Sequence, residues 1–381
     1  MSSKTKIIRA CTVSMSTCFV EGMLPDLKKK YEVILLSSPG QELDEVERKY
    51  GVRGIRVPME RHISLMRDVM ALWRLIRIFR RERPKMVHSM TPKAGLLCML
   101  AGRLTGVPVR VHTFTGLVWP TSTGLKRRIL MATDRLTCAC ATHIIPEGKS
   151  VMNDLRNHGI TKKPMRVLGY GNVKGVDMDY YSRLRVQDSK FTVDLMAKKD
   201  DSLVFLFVGR IVKDKGINEL CRAFNLLSGF APARLILVGD YEDTLDPISA
   251  EARKIISDNP AIEAVGPKYG DELLAYYATA DCFVFPSYRE GFPNTVLEAG
   301  AMGLPSIVTD INGSRDIIKQ GENGVIIPPM DENALFDAML TMLKDKNSRE
   351  WMAKKARGLI ASRFEQSFVR KCLYDFYDEI L

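Results

Sequence analysis

The chain has 381 residues, 46% hydrophobic and 27% charged, a globular balance at a length that suits two domains of ordinary size and excludes a disordered or fibrous protein. Its net charge of +11 and pI near 9.2 favour an anionic partner without choosing among nucleotide, phosphate-bearing lipid and nucleic acid. Eight scattered cysteines, a terminus whose apolar run is interrupted by Arg9, and no run long enough to cross a bilayer predict a reduced cytoplasmic protein, neither secreted nor integral to a membrane.

In chain order, residues 7–13 and 32–38 read as the first strands, each an apolar run followed by a helical pattern. Residues 56–85 then carry nine Lys or Arg against three acidic residues. Positions 65, 69, 72, 73 and 76 share one helical face there, and Arg67, Arg74, Arg77 and Arg81 crowd another. A basic amphipathic helix of this kind suits an anionic membrane surface, and it also suits a helix that packs its apolar stripe on a sheet; Gly124 to Met131 adds to the first reading. Strands at 86–91, 109–115 and 165–168 follow. The first of these runs into Thr91, Pro92 and Lys93, a helix start with Thr as cap and Pro in its first turn. Cys138 and Cys140 fall two apart in a helical pattern and point in different directions.

A glycine-rich stretch, Gly169-Tyr-Gly-Asn-Val-Lys-Gly175-Val-Asp177, separates this pattern from a second one with strands at 203–208, 234–238, 262–265, 281–285 and 306–309. Two runs of alternating strand and helix predict an α/β protein of two similar units, each a parallel sheet covered on both faces. Arg210 and Lys215 follow the apolar strand 203–208, and a guanidinium fork with a compact ammonium suits a diphosphate. The densest motif is Ser287-Tyr-Arg-Glu290-Gly-Phe-Pro-Asn-Thr-Val-Leu-Glu298. Two carboxylates flank a turn after a strand, acceptors suited to a polyol. Asn294-Thr295 opens a helix whose first N–H groups would face a diphosphate.

Here the chain resembles the retaining glycosyltransferases of family 4. The likeness runs in order from Phe207-Val-Gly-Arg210-Ile-Val-Lys-Asp-Lys215-Gly, through the paired glutamates, to Gly303-Leu-Pro-Ser-Ile-Val-Thr-Asp-Ile-Asn-Gly313, Asn323-Gly-Val-Ile-Ile-Pro-Pro and Arg363-Phe-Glu-Gln-Ser-Phe. The resemblance implies the GT-B fold, two Rossmann-like domains with parallel sheets facing across a cleft. Residues 1–175 would bind acceptor and 176–364 donor, with a final helix over 365–381 crossing back to the first domain.

It also implies roles. Glu290 would contact the donor sugar and Glu298 the ribose hydroxyls. Gly291 and Phe292, in the turn with Pro293, would offer N–H groups to the sugar, and Asn294 and Thr295 would face the phosphates. Arg210 and Lys215 would neutralise the departing diphosphate, and the loop of Gly266 and Lys268 would receive the base. Where many relatives place a histidine directly before a glycine, this chain has Thr115 before Gly116. His112, three residues earlier, is the candidate to touch the donor sugar or polarise the acceptor. The family's twin glycines near the N-terminus are represented by Gly22 alone. The stretches His88 to Gly95 and His112 to Trp119 are similar to the bacterial branch that extends saccharides on undecaprenyl diphosphate, with Lys93 facing the lipid diphosphate and Thr115 on the acceptor side.

The expected activity is therefore transfer of a hexose or N-acetylhexosamine, with retention, from a nucleotide-sugar, UDP first among nucleotides. The acceptor would be a polyprenyl-diphosphate-linked saccharide in bacterial surface polysaccharide synthesis, met by a protein bound peripherally to the inner face of the membrane. No metal and no cofactor are expected; an Asp-x-Asp at Asp177 and Asp179 offers the rival metal-dependent reading. Two other rivals are a nicotinamide-dependent oxidoreductase, for which Gly169 to Gly175 has the wrong spacing, and a basic membrane- or nucleic-acid-binding protein without catalysis. Nucleic acid is not an expected partner, for no basic strand interleaved with aromatics is present.

Overall fold

The computed structural model describes residues 4–60, 64–197, 200–244 and 246–381. Part of the basic stretch read above, Arg61 to Ile63, and the opening Met-Ser-Ser lie outside them. The chain divides into two units, Met1–Gly175 with Ser367–Leu381, and Val176–Gln366.

The first unit holds β1 (Thr5–Ala10), β2 (Tyr31–Ser37), β3 (Arg53–Arg56), β4 (Met86–Met90), β5 (Val109–Phe114) and β6 (His143–Pro146), and the second β7 (Leu203–Val208), β8 (Ala233–Val238), β9 (Ile262–Gly266), β10 (Cys282–Phe285), β11 (Ser306–Thr309) and β12 (Gly324–Ile327). The sheets are ordered β3-β2-β1-β4-β5-β6 and β12-β11-β10-β7-β8-β9. Every named strand pair is parallel. All six residues of β7 are buried, the continuous apolar strand expected inside a sheet covered on both faces. Its Phe207 stacks on Phe285 of β10 at 5.9 Å, and Phe285 on Phe283 at 6.0 Å. In each sheet the strand order reverses once, between β1 and β4 and between β7 and β10. Ligands of open α/β sheets gather beyond the carboxyl ends of the strands at such a reversal.

Residues 165–168 do not form a strand; only Met165 bridges to Ile144. The strands missing from the sequence reading, β3, β6 and β12, all lie at sheet edges. They are short and partly exposed, as in Arg53-Gly-Ile-Arg, and so lack the buried apolar run that marks inner strands.

The helix Leu65–Glu82 is present, turned differently from the expected stripe. It buries Ala71, Leu75 and Phe79, while Leu65, Met66, Val69, Met70 and Trp73 are exposed. From Ser367 on, the helix Gln366–Ile380 belongs to the first unit, where the Tyr377 hydroxyl stands 2.6 Å from both the Arg9 guanidinium and Nδ1 of His88. Among the described residues, no helix is long and apolar enough to cross a membrane.

Candidate active site

Two loops meet at the carboxyl ends of β7 and β10. After β7 the chain makes a 3₁₀ turn, Lys213–Lys215, that ends on Gly216 at φ 71°. A Cβ at Gly216 would lie 2.1 Å from the carbonyl oxygen of Pro286, so glycine alone lets the two loops touch. Asp214 then ties them together. Its carbonyl accepts from the Tyr288 N–H at 2.8 Å and from the Ser287 hydroxyl at 3.2 Å, and its carboxylate accepts from Nε of Arg289 at 2.9 Å.

This binding together brings Lys215 and Glu290 into an ion pair, although 75 residues separate them. Each side chain is only 17% exposed. The Ser287 hydroxyl donates to the same Glu290 oxygen at 2.9 Å, and the Lys215 ammonium lies 5.0 Å from the centre of the Phe285 ring. A cation and a carboxylate are thus held side by side, half-buried, at the reversal point. The arrangement can take an anionic group on the ammonium and a hydroxyl on the carboxylate.

The turn Gly291-Phe292-Pro293 leads directly into the helix Asn294–Ala301. Phe292 is buried against Phe364 at 5.4 Å, which anchors the turn. Gly313, at φ 73°, allows the neighbouring loop to lie on it, for a Cβ there would come 2.5 Å from the Gly291 carbonyl oxygen. Asn294 and Thr295 are half-buried in the first helical turn. One turn on, Glu298 accepts from the Tyr277 hydroxyl at 3.0 Å. Tyr181 also bonds Glu298, and burial together with that carboxylate raises the phenols of both tyrosines, which stay protonated as donors.

Arg210 extends from the end of β7 to pair with Glu242 and is largely exposed. Gly266 ends β9 at φ 73° with open space where a Cβ would stand. Lys268, just beyond it, pairs with Glu272 at 2.8 Å, which raises its ammonium.

The first unit separates its candidates. Lys93, in the opening turn of Pro92–Leu104, pairs with Asp68 at 2.7 Å. Thr91 takes the N-cap position as expected, with Pro92 in the first turn, but its side chain does not bond the helix: its hydroxyl lies 2.7 Å from the Thr12 hydroxyl and accepts from the Thr12 N–H at 3.0 Å. Thr115 is half-buried just past β5. His112 lies inside β5, 1% exposed, with Nδ1 2.9 Å from the Ser89 hydroxyl, and burial pushes its imidazole down to about 3. Its ring fills the space beside Gly95, where a Cβ would come within 2.3 Å.

Sequence reasoning missed Asp214, Ser287, Tyr181 and Tyr277, the residues that hold the site. Asp214 and Ser287 stand inside quoted motifs, and adjacency to Lys215 and Glu290 was the available signal. The tyrosines reach Glu298 only through the fold. Among the described residues, no group of three or more His, Cys, Asp or Glu could hold a metal ion. Asp177, of the Asp-x-Asp pair, accepts at Oδ1 from the N–H groups of Asp179 at 3.1 Å and Tyr180 at 2.9 Å.

The family model for glycosyl transferases group 1 matches residues 193–359, and that for the glycosyl transferase 4-like domain matches residues 23–171. The chain is 30% identical over 379 residues to the capsular polysaccharide biosynthesis glycosyltransferase CapM of Staphylococcus aureus, covering 99% of this chain and 97% of that protein. It is 26% identical over 321 residues to the UDP-Gal:alpha-D-GlcNAc-diphosphoundecaprenol alpha-1,3-galactosyltransferase of Escherichia coli, covering 82% of this chain and 80% of that one. Among solved structures, HepE of Anabaena in complex with UDP aligns with a TM-score of 0.79 over 98% of this chain and 100% of its own, at 14% identity, a likeness of fold.

Proposed function

This chain belongs to the glycosyl transferases group 1 family and is a glycosyltransferase of two-domain, Rossmann-like GT-B fold, and from that premise we propose that its second unit binds a UDP-sugar and donates a hexose or N-acetylhexosamine with retention of configuration. The observation that carries this reading is the Lys215–Glu290 pair at the reversal between β7 and β10. Lys215 and Arg210 take the diphosphate, Glu290 takes hydroxyls of the sugar with the Gly291 and Phe292 N–H groups, and the opening turn at Asn294 and Thr295 faces the phosphates. Glu298, oriented by two tyrosine donors, takes the ribose, and the loop of Gly266 and Lys268 takes the base.

In the proposed step the acceptor hydroxyl oxygen bonds to the anomeric carbon as the bond to the diphosphate breaks. The hydroxyl proton passes to the departing diphosphate oxygen, whose growing charge Lys215 and Arg210 stabilise more than they stabilise the bound donor. Neither metal nor cofactor enters this step. The acceptor we propose is a saccharide on polyprenyl diphosphate, in keeping with the acceptor named for the Escherichia coli relative, with Lys93 and Thr115 on its side. His112, buried beside Gly95, is read as a positioning residue for the helix that carries Lys93. The exposed Leu65, Met66, Val69, Met70 and Trp73, with Arg74 and Arg77 following, suit the anionic inner face of a cell membrane.

The test is a thermal-shift panel of UDP-, GDP-, ADP- and dTDP-sugars on the wild type, Glu290→Gln and Lys215→Ala. A UDP-sugar should raise the melting temperature of the wild type and shift both variants less. A panel with no shift, or equal shifts in all three proteins, overturns the donor site.

A further inference from the structure

The proposed donor and acceptor residues follow the carboxyl ends of their strands. At the opposite end of the first sheet, where β1, β4 and β5 begin, an open cavity of about 1050 Å³ is lined by Lys4, Lys6, Arg80, Arg83 and Lys85, with Phe79, Pro84, residues 105–108 and Leu381 completing the wall. Its volume is at the top of the range of small-molecule sites, roughly 300–1,000 Å³. Two of the five cations are engaged: Lys6 faces Glu82 at 3.2 Å and Glu32 at 3.5 Å, and Lys4 donates to the Lys28 carbonyl at 2.5 Å. Among the described residues, Arg80, Arg83 and Lys85 have no ion-pair partner, and all three are exposed. The neighbouring carboxylate, Glu82, is buried and already held by Lys6, Arg53 and Arg81. The carboxyl end of Leu65–Glu82 carries a partial negative charge of roughly half an electron, which a single cation answers. Like charges set together in a hollow repel one another, and an anion with several oxygens relieves that repulsion.

We infer that this cavity binds a phosphate-rich anion bearing at least two negative charges, held by the guanidinium forks of Arg80 and Arg83 and the ammonium of Lys85. The site is separate from the donor residues, which lie in the other unit, and the inference does not rest on the proposed function. Phosphate oxygens reach such a hollow either on a soluble pyrophosphate-like molecule or on lipid headgroups, and the two sources are separable.

The experiment uses the full chain carrying Arg210→Ala and Lys215→Ala, so that the proposed donor site contributes no pyrophosphate binding. Arg80→Gln, Arg83→Asn and Lys85→Gln are added together; Asn suits position 83, where φ is 49°. Titration calorimetry with inorganic pyrophosphate and co-sedimentation with phosphatidylglycerol vesicles are run on both proteins. If the soluble anion is the ligand, pyrophosphate affinity falls about tenfold or more in the altered protein, the loss expected for two charge-assisted hydrogen bonds. If headgroups are the ligand, vesicle binding falls by that factor while pyrophosphate binds neither protein. A control with Arg156→Gln and Lys162→Gln removes exposed charge from the same unit outside both the cavity and the apolar face of Leu65–Glu82, and should spare whichever binding the cavity supplies. Should the triple variant melt early, Lys85→Gln alone is measured, with a loss of about threefold expected. Binding of both probes that is unchanged by the cavity substitutions, absent from the parent, or equally lost in the control overturns the inference.

Discussion

Replacing Lys215 by alanine removes the cation that the fold sets against Glu290. Both side chains are 17% exposed, so water screens them only in part, and a hydrogen bond to a charged group in such a place is worth about 1.5–3 kcal/mol. If that interaction is made fully only as the diphosphate leaves, Lys215→Ala should lower kcat/KM by about 10- to 150-fold. Glu290→Gln keeps shape and volume but loses the charged acceptor, and a loss in the same range follows. The double variant should lose less than the sum of the two, by about 1 kcal/mol or more, because each single change leaves the other group without its partner. Glu290 would keep the Ser287 hydroxyl at 2.9 Å, so the fold should survive. The assay is release of nucleoside diphosphate from the donor chosen by the thermal-shift panel, with urea midpoints read in parallel. Turnover near that of the wild type in both single variants, with midpoints intact, would refute the argument, and losses that simply add would show that the pair does not act as a unit.

Gly216→Ala places a Cβ 2.1 Å from the Pro286 carbonyl oxygen in a left-handed backbone, and should cost about 2–4 kcal/mol by urea unfolding while abolishing transfer; an unchanged midpoint contradicts the close approach of the loops. Burial pushes the Asp134 carboxyl up to about 7, against a hydrogen bond from Trp119 Nε1 at 3.0 Å that favours the charged form. The folded chain thus keeps a proton that the unfolded chain releases near pH 4, so Asp134 makes stability fall as pH rises from about 4 to 7, by as much as about 4 kcal/mol; Asp134→Asn should flatten that slope in urea titrations at pH 5 and pH 8, and an unchanged slope would disprove it. Met66→Ser with Trp73→Ser should weaken partition onto anionic vesicles by about 2 kcal/mol, near thirtyfold, and equal partition would make this face an ordinary exposed one.

How far the sequence disclosed this molecule depended on whether a feature is contiguous in the chain. The turn from β10 into Asn294–Ala301 is one unbroken stretch, so Glu290, the Gly-Phe-Pro-Asn turn and Glu298 could be read as a unit. The inner strands were legible for a similar reason, since burial on both faces writes an apolar run, whereas the edge strand Arg53–Arg56 is half exposed and writes none. The helix Leu65–Glu82 was found but rotated. Two apolar stripes lie on it, and the small Ala71, which carries little weight in a periodicity, sits with Leu75 and Phe79 on the buried one. An imidazole near a strand end invites a chemical reading of His112. Only the third dimension reveals Ser89 on one side of it and Gly95 on the other.

The two sheets share one strand order, and this raises the question of why the donor should be assigned to the second. At the reversal between β1 and β4 the two loops are joined by neutral groups, with the Lys93–Asp68 pair at 2.7 Å beside them: the hydroxyls of Thr12 and Thr91 meet at 2.7 Å, and Thr12 Oγ1 accepts from the Ala94 N–H at 3.1 Å. Thr91 holds φ at 77°, a strained value for a β-branched residue, to make that closure. The reversal between β7 and β10 is instead lined by an ammonium and a carboxylate, braced by the Asp214 backbone and by glycines that admit close approach. The same topology thus has its two loops joined by hydroxyls in one unit and by an ammonium and a carboxylate in the other. A diphosphate needs fixed cations at the moment its leaving oxygen gains charge; at the second crossing the Lys215–Glu290 pair joins the two crossing loops themselves, whereas in the first unit Lys93 is held by Asp68 of the helix Leu65–Glu82. What supports the proposed donor site is therefore the chemistry of the loops at the crossing, which the sheets alone do not distinguish.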